Sequence, residues 1–211
     1  GTIISYVTAD NAQADMAQFR IYENGETYLL YSLPASDQYQ LEIARFDGDW
    51  YYVVSTAAEQ RVEIFKNPLD KLKSGRQKAA TPLLAMKMPG YKTVAFSANA
   101  RFVSAAAGPD MAVYDIETDR RYHYRVEPPL DGPLQWMDGH RFIGLSEGNV
   151  LVIDFDGTNQ QLLTASNLPA GGLFDRDYET LLVSVPLGTG GSVALKKVPL
   201  RAGADLPDSA P

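Results

Sequence analysis

The sequence predicts an all-β chain of β-propeller architecture with about five visible four-stranded blades, and three observations predict it. First, an apolar or aromatic residue followed by a charged one recurs as Tyr22-Glu23, Phe65-Lys66, Tyr114-Asp115, Ile153-Asp154 and Leu195-Lys196, at spacings of 43, 49, 39 and 42 residues. Second, an aromatic residue before a polar turn and an apolar run recurs at Phe46, Phe96, Trp136 and Phe174, at spacings of 50, 40 and 38 residues, in step with the first series. Third, Gly, Asn, Asp and Pro cut each period into about four short runs with strand composition. Leucine-rich or ankyrin repeats would be shorter and would carry helical periodicity, which is missing here.

The blades are placed at approximately 2–33, 40–88, 91–126, 133–164 and 171–200. In the first, strands are expected near 2–7, 17–22 and 27–33, with no opening strand. The third holds runs at 93–96, 101–105, 111–114 and 121–126, and the fourth at 134–136, 142–145, 150–155 and 160–164. Glu147-Gly148-Asn149 and Asp156-Gly157-Thr158-Asn159 supply turns, since Gly and Asn accept positive φ. The fifth has runs at 172–174, 180–185 and 192–198 and no closing strand. Residues 202–211, small, polar and Pro-containing, read as a disordered tail. The chain opens in mid-strand, without the basic and apolar regions of a signal peptide. Three full blades and two of three strands favour an N-terminally truncated larger propeller or an open arc over five blades closed on themselves.

With 45% hydrophobic and 21% charged residues, the chain can bury a core. Its net charge of −7 repels phosphate backbones, so no nucleic-acid partner is expected. The absence of cysteine removes disulfides and thiolate metal sites. No run approaches the roughly 18 apolar residues of a membrane-crossing helix.

Val152-Ile153-Asp154-Phe155-Asp156-Gly157-Thr158-Asn159-Gln160-Gln161-Leu162-Leu163-Thr164 resembles the repeat of TolB-type propellers, whose outer hairpin reads apolar, Asp, x, Asp-Gly, small, Asn and ends in Leu-Thr. The Phe96-Ser97 and Phe174-Asp175 segments resemble the Phe-Ser-Pro-Asp-Gly strand that opens the same repeat. They lack its Pro, and the Asp-Gly pair survives as Asp138-Gly139 and Asp47-Gly48. More distantly, the chain is similar to the propeller part of PEGA-domain bacterial surface proteins. The resemblance implies a binding fold and little chemistry.

Catalytic patterns are sparse. Gly144-Leu145-Ser146-Glu147-Gly148 matches G-x-S-x-G, but a strand follows where a nucleophile elbow needs a helix. His123 and His140 occupy different repeat positions and read as surface or packing residues. Asp154, Asp156 and Asn159 resemble the start of a calcium loop, which Leu162-Leu163-Thr164 then fails to complete. Gly188-Thr189-Gly190-Gly191-Ser192 lacks the helix of a phosphate loop and reads as a long hairpin. No catalytic residue, metal or cofactor is assigned. Most aromatics are assigned to blade cores; Tyr28, Tyr31, Tyr39, Tyr51, Tyr52, Tyr122 and Tyr124 are the ones to check for exposure.

One segment breaks the repeat. The long interval between Phe65 and Tyr114 contains residues 66–82, in which Asn67 can cap a short helix, Pro68 can open it and Gly75 can end it. Lys71, Lys73, Arg76 and Lys78 are clustered here in an otherwise acidic chain, and insertions on repeat scaffolds map to loops that often bind. These four are the candidate partner-binding residues. The resulting reading is a noncatalytic interaction or scaffold module, exported to or displayed on a bacterial cell envelope, binding a protein or an envelope polymer. The alternatives are a propeller hydrolase or lyase with a carboxylate-lined channel, and a structural arc that packs on missing blades or self-associates with another copy.

Overall fold

Turn residues and burial set the strands in a computed structural model that describes residues 3–9, 15–36, 38–187 and 192–200. The expected tail at 202–211 and the Gly-rich stretch 188–191 lie outside them. Strands β1 (Ile3–Ala9), β2 (Met16–Glu23) and β3 (Glu26–Pro34) form the first sheet. The second is β4 (Tyr39–Phe46), β5 (Asp49–Thr56), β6 (Arg61–Lys66) and β7 (Leu84–Lys87). The third is β8 (Thr93–Phe96), β9 (Phe102–Ala107), β10 (Asp110–Asp115) and β11 (Arg120–Arg125). The fourth is β12 (Gln135–Trp136), β13 (Arg141–Ser146), β14 (Asn149–Asp154) and β15 (Gln161–Ala165), and the fifth is β16 (Leu173–Phe174), β17 (Thr180–Leu187) and β18 (Ser192–Pro199). Every strand pairs antiparallel with its chain neighbour in the sheet, so each sheet is an up-and-down meander, the blade of a β-propeller.

One backbone bond recurs where the third strand of a blade ends. The next residue donates its N–H to the carbonyl of a residue at the start of the second strand: Asn67 to Trp50 at 2.8 Å, Ile116 to Arg101 at 3.0 Å, Phe155 to His140 at 2.8 Å and Leu200 to Glu179 at 2.7 Å. The repeated pairs Phe65-Lys66, Tyr114-Asp115 and Ile153-Asp154 immediately precede that bond. Tyr22-Glu23 likewise stands at the end of β2, which makes β1, β2 and β3 the second to fourth strands of their blade. Leu195-Lys196 departs from this register, because Val198-Pro199 holds the equivalent place in β18. The turn between first and second strands is closed by side chains: Ser97 Oγ accepts from the Phe102 N–H at 3.1 Å, Asp138 Oδ1 from Arg141 at 2.7 Å and Asp175 Oδ1 from Thr180 at 3.1 Å.

The hairpin between β13 and β14 differs from expectation in one respect. Glu147 and Gly148 carry the positive φ values, 50° and 72°, while Asn149 already begins β14. A two-residue turn that matches the strand twist needs both central residues there, and Glu147 accepts the left-handed conformation that Asn would take more readily. At Gly157, φ is +88°, and a Cβ would stand 2.7 Å from the Tyr124 ring of the preceding blade. Tyr124 also donates its hydroxyl to the Phe155 carbonyl at 3.2 Å, so this turn fastens two blades together.

Packing runs from each blade to the next. One cluster joins Phe19, Ile21 and Leu30 to Tyr52, Val54 and Phe65. A second joins Val53 and Ile64 to Val103 and Ala112, a third Phe102 and Val113 to Phe142 and Leu151, and the last Ile143 and Val150 to Leu181 and Val183. Among the described residues, none of these clusters joins the fifth blade to the first. Both end faces carry exposed apolar side chains: Val193 (61% exposed) and Leu195 (74%) on the fifth blade, and Ile4 and Tyr22 on the first.

Asp115 is the polar anchor of the third blade. Only 1% exposed, it pairs with Arg101 through two bonds of 3.0 and 2.7 Å and accepts from the Thr118 hydroxyl and the Glu117 N–H. Burial pushes its carboxyl up, but Arg101 and Thr118 outweigh that and hold it below the ordinary carboxylate range. A lowered folded-state value means a contribution fully present above the unfolded carboxyl value and lost as pH falls through the folded one. Asp115→Ala is expected to cost about 2–4 kcal/mol at neutral pH, and its urea-melt stability should fall less on acidification than that of the wild type. Gly157→Ala should cost at least about 1 kcal/mol through left-handed strain and the displaced Tyr124 ring, read by thermal melting.

Candidate interaction surface

The 67–82 insertion departs most from the repeat, and it is pinned to the first blade. Helix α1 (Pro68–Lys73) buries Pro68, Leu69 and Leu72. Leu69 and Leu72, three positions apart, lie on one helical face and join the cluster around Phe19, Ile21 and Leu30, as does Ala80. The Ala80 N–H donates to the Leu30 carbonyl at 2.9 Å, so the insertion also covers part of the free edge of β3.

Asn67 does not cap this helix through its side chain, contrary to the sequence reading. Its φ is 44°, and the side chain turns to the strand instead: Oδ1 accepts from the Trp50 N–H at 2.8 Å, and Nδ2 donates to Asp49 at 2.6 Å. At the other end Ser74 is the cap residue, and Gly75, at φ +67°, donates its N–H to Leu72 at 3.0 Å.

The four basic residues separate into two roles. Lys73 forms an ion pair with Glu23 of β2, whose side chain is only 15% exposed, so it anchors the insertion. Lys71, Arg76 and Lys78 are exposed, and no ion pair links them to another described residue. A shallow cavity of about 450 Å³ at Lys71 is lined also by Lys66, Asn67, Asp70, Thr81, Pro82 and Leu83. The Lys66 ammonium is held by Asp49 at 2.6 Å. Leu83, 49% exposed, adds an apolar contact next to the cations. Such a surface can take an acidic segment with an apolar side chain.

The other motifs fall into structural places. Ser146 is buried and donates its hydroxyl to the Pro129 carbonyl at 2.8 Å. The His140 ring packs edge-on to Phe102, and His123 lies on β11, an outer strand. Asp154 accepts from Asn159 at 2.6 Å, while Asp156 accepts from both the N–H and the hydroxyl of Thr158. Among the described residues, no group of three or more His, Asp or Glu side chains is arranged to hold a metal ion. Tyr51 and Tyr52 are buried, and Tyr28, Tyr31, Tyr39, Tyr122 and Tyr124 are half-buried. Burial pushes the Tyr52 hydroxyl up to about 12. Among the described residues, the more exposed aromatics are Tyr22, Trp50 and Tyr178.

No family model matches the chain, and neither does any curated protein. Solved structures do. Hsv2 of Kluyveromyces lactis is 12% identical with a TM-score of 0.48, over 87% of this chain and 57% of that one. TolB from Acinetobacter baumannii is 17% identical with a TM-score of 0.45, over 93% and 50%. A protein from Lactobacillus plantarum is 15% identical with a TM-score of 0.45, over 92% and 70%. The chain thus spans about half the length of the TolB structure and 57% of the Hsv2 one. The assignment of blades rests on the sheets themselves.

Lys73→Ala leaves the largely buried Glu23 carboxylate without its cation and should lower stability by about 1–2 kcal/mol. Lys71→Ala and Arg76→Ala should stay within about 0.5 kcal/mol of wild type in the same chemical denaturation series.

Proposed function

We propose that the chain is a protein-interaction scaffold that presents the 67–82 insertion to an acidic segment of a partner protein. One observation carries this reading. Lys71, Arg76 and Lys78 stand exposed on an element held in place by Leu69, Leu72, Ala80 and the Lys73–Glu23 pair, on a chain whose net charge is −7. Pinned cations lose little freedom on binding, and local positive charge on an acidic protein favours an oppositely charged partner and speeds its encounter. The resemblance of the 152–164 hairpin to TolB-type repeats supports an exported setting, with the partner in a bacterial cell envelope.

The test is crosslinking capture from cells with the wild type and with a Lys71→Glu/Arg76→Glu/Lys78→Glu variant that keeps Lys73. An acidic envelope protein should be captured by the wild type, with affinity at least about tenfold weaker for the variant. Equal capture by both would sink the assignment. Recovery of an anionic polymer in place of a protein would leave the basic face standing but change the partner class.

A further inference from the structure

The groove between the first and second blades and that between the fourth and fifth are built alike. Glu23 closes β2 as Asp154 closes β14, and the residues two positions earlier, Ile21 and Val152, face the same way. Opposite them on the neighbouring strands stand Ile3 and Ser5 in one groove, and Arg141 and Ile143 in the other. On the facing blade, Tyr52 pairs with Phe65 as Leu181 pairs with Val198. The same backbone bond closes both, from Asn67 to Trp50 and from Leu200 to Glu179.

What fills them differs. Helix α1 inserts into the first groove, where Pro68, Leu69 and Lys73 line a residual cavity of about 110 Å³ with Ile3, Glu23 and Trp50. In the second groove no described residue takes the place of α1. The cavity there is about 400 Å³, lined by Arg141, Val152, Leu163, Phe174, Tyr178 and Leu200 among others. Apolar side chains share the walls with the polar groups of Arg141, Gln161 and Tyr178. Arg141 is bonded to Asp138 at 2.7–2.8 Å and lies over the Tyr178 ring. Asp154, on the same face of β14 as Val152 and opposite Arg141, accepts from the Asn159 amide through Oδ2 at 2.6 Å.

We propose that the groove between the fourth and fifth blades is a peptide-binding site for a short helical segment of a partner protein, with aliphatic side chains at i and i+3 and a cation at i+4. The pattern is that of α1 itself, where Leu69 and Leu72 are buried and Lys73 meets Glu23. Asp154, at the place of Glu23, supplies the matching carboxylate. Docking an amphipathic helical turn into an apolar groove through i and i+3 anchors is an established mode of recognition. This site is separate from the exposed cations of the insertion, so its failure leaves the reading of that surface untouched.

The probe is a fluorescent peptide with the sequence of residues 67–78, titrated into the whole chain and followed by anisotropy. Saturable binding with Kd between about 10 μM and 1 mM is expected. It should weaken at least about tenfold with Leu163→Glu and with Tyr178→Lys, and when the two leucines of the peptide become serine. Asp154→Asn should weaken it less, about threefold. Hydrogen exchange on the wild-type chain, which needs no variant, should show peptide-dependent protection in β15 and in the turn between β16 and β17. No binding up to about 1 mM, unchanged binding to both groove variants, or protection confined to other blades would overturn the proposal. So would a chain ending at residue 200 that binds about tenfold more tightly, because the groove would then belong to the chain's own residues 201–211.

Discussion

Each inner blade is apolar on both faces, and the rest of the structure depends on that constraint. Along β9, Phe102 and Ala106 pack on the fourth blade while Val103 and Ala105 pack on the second. Along β14, Leu151 and Ile153 face the third blade and Val150 the fifth. A sheet buried on both sides cannot satisfy itself, so blades must stack, and their central strands read as nearly continuous apolar runs rather than as alternating ones. The outer strands break this rule because they carry one face to solvent: β11 reads Arg-Arg-Tyr-His-Tyr-Arg, with Tyr122 and Tyr124 turned inward.

The end blades show the same constraint from the other side. The fifth blade packs Leu181 and Val183 against the fourth, while Leu173, Leu182, Val193 and Leu195 share the opposite face and remain exposed. The first blade buries Phe19 and Ile21 and leaves Ile4 and Tyr22 outside. Two uncovered apolar faces follow directly from a series of blades that is stacked but, among the described residues, not closed by a hydrophobic cluster.

The blades were legible in the sequence because the repeated pairs, Leu195-Lys196 excepted, mark one fixed place at a strand end. Tyr114-Asp115 and Ile153-Asp154 stand out from their neighbours since the residue after each must return a backbone bond to its own blade. Strand positions in the third and fourth blades could therefore be read to within two or three residues. The surface was much less legible. Periodicity reports that a residue is buried, but not which neighbour buries it. Nothing in the spacing of Lys71, Lys73, Arg76 and Lys78 separates the one that meets Glu23 from the three that do not, because the distinction depends on how α1 lies across the first blade. Asn67 misled for a similar reason. Its capping chemistry is genuine, but Asp49 and the Trp50 N–H compete for the same side chain and prevail.

A helix of six residues has no stability of its own in water, since the cost of nucleation exceeds what so few backbone bonds return. Helix α1 exists because Leu69 and Leu72 find a groove between two blades that the four-stranded pattern does not fill. Repetition makes that groove more than once, and among the described residues only the one between the first and second blades is filled, by the insertion. On a repeat scaffold, chemistry common to every blade serves the register, as the Asp138 and Asp175 turns do. The blades become individual where one departs from the others: at an insertion that adds charge, or at a groove that, among the described residues, lacks the plug its counterpart has. The exposed cations of the insertion and the open groove between the fourth and fifth blades are two such departures, and both lie where consecutive blades meet.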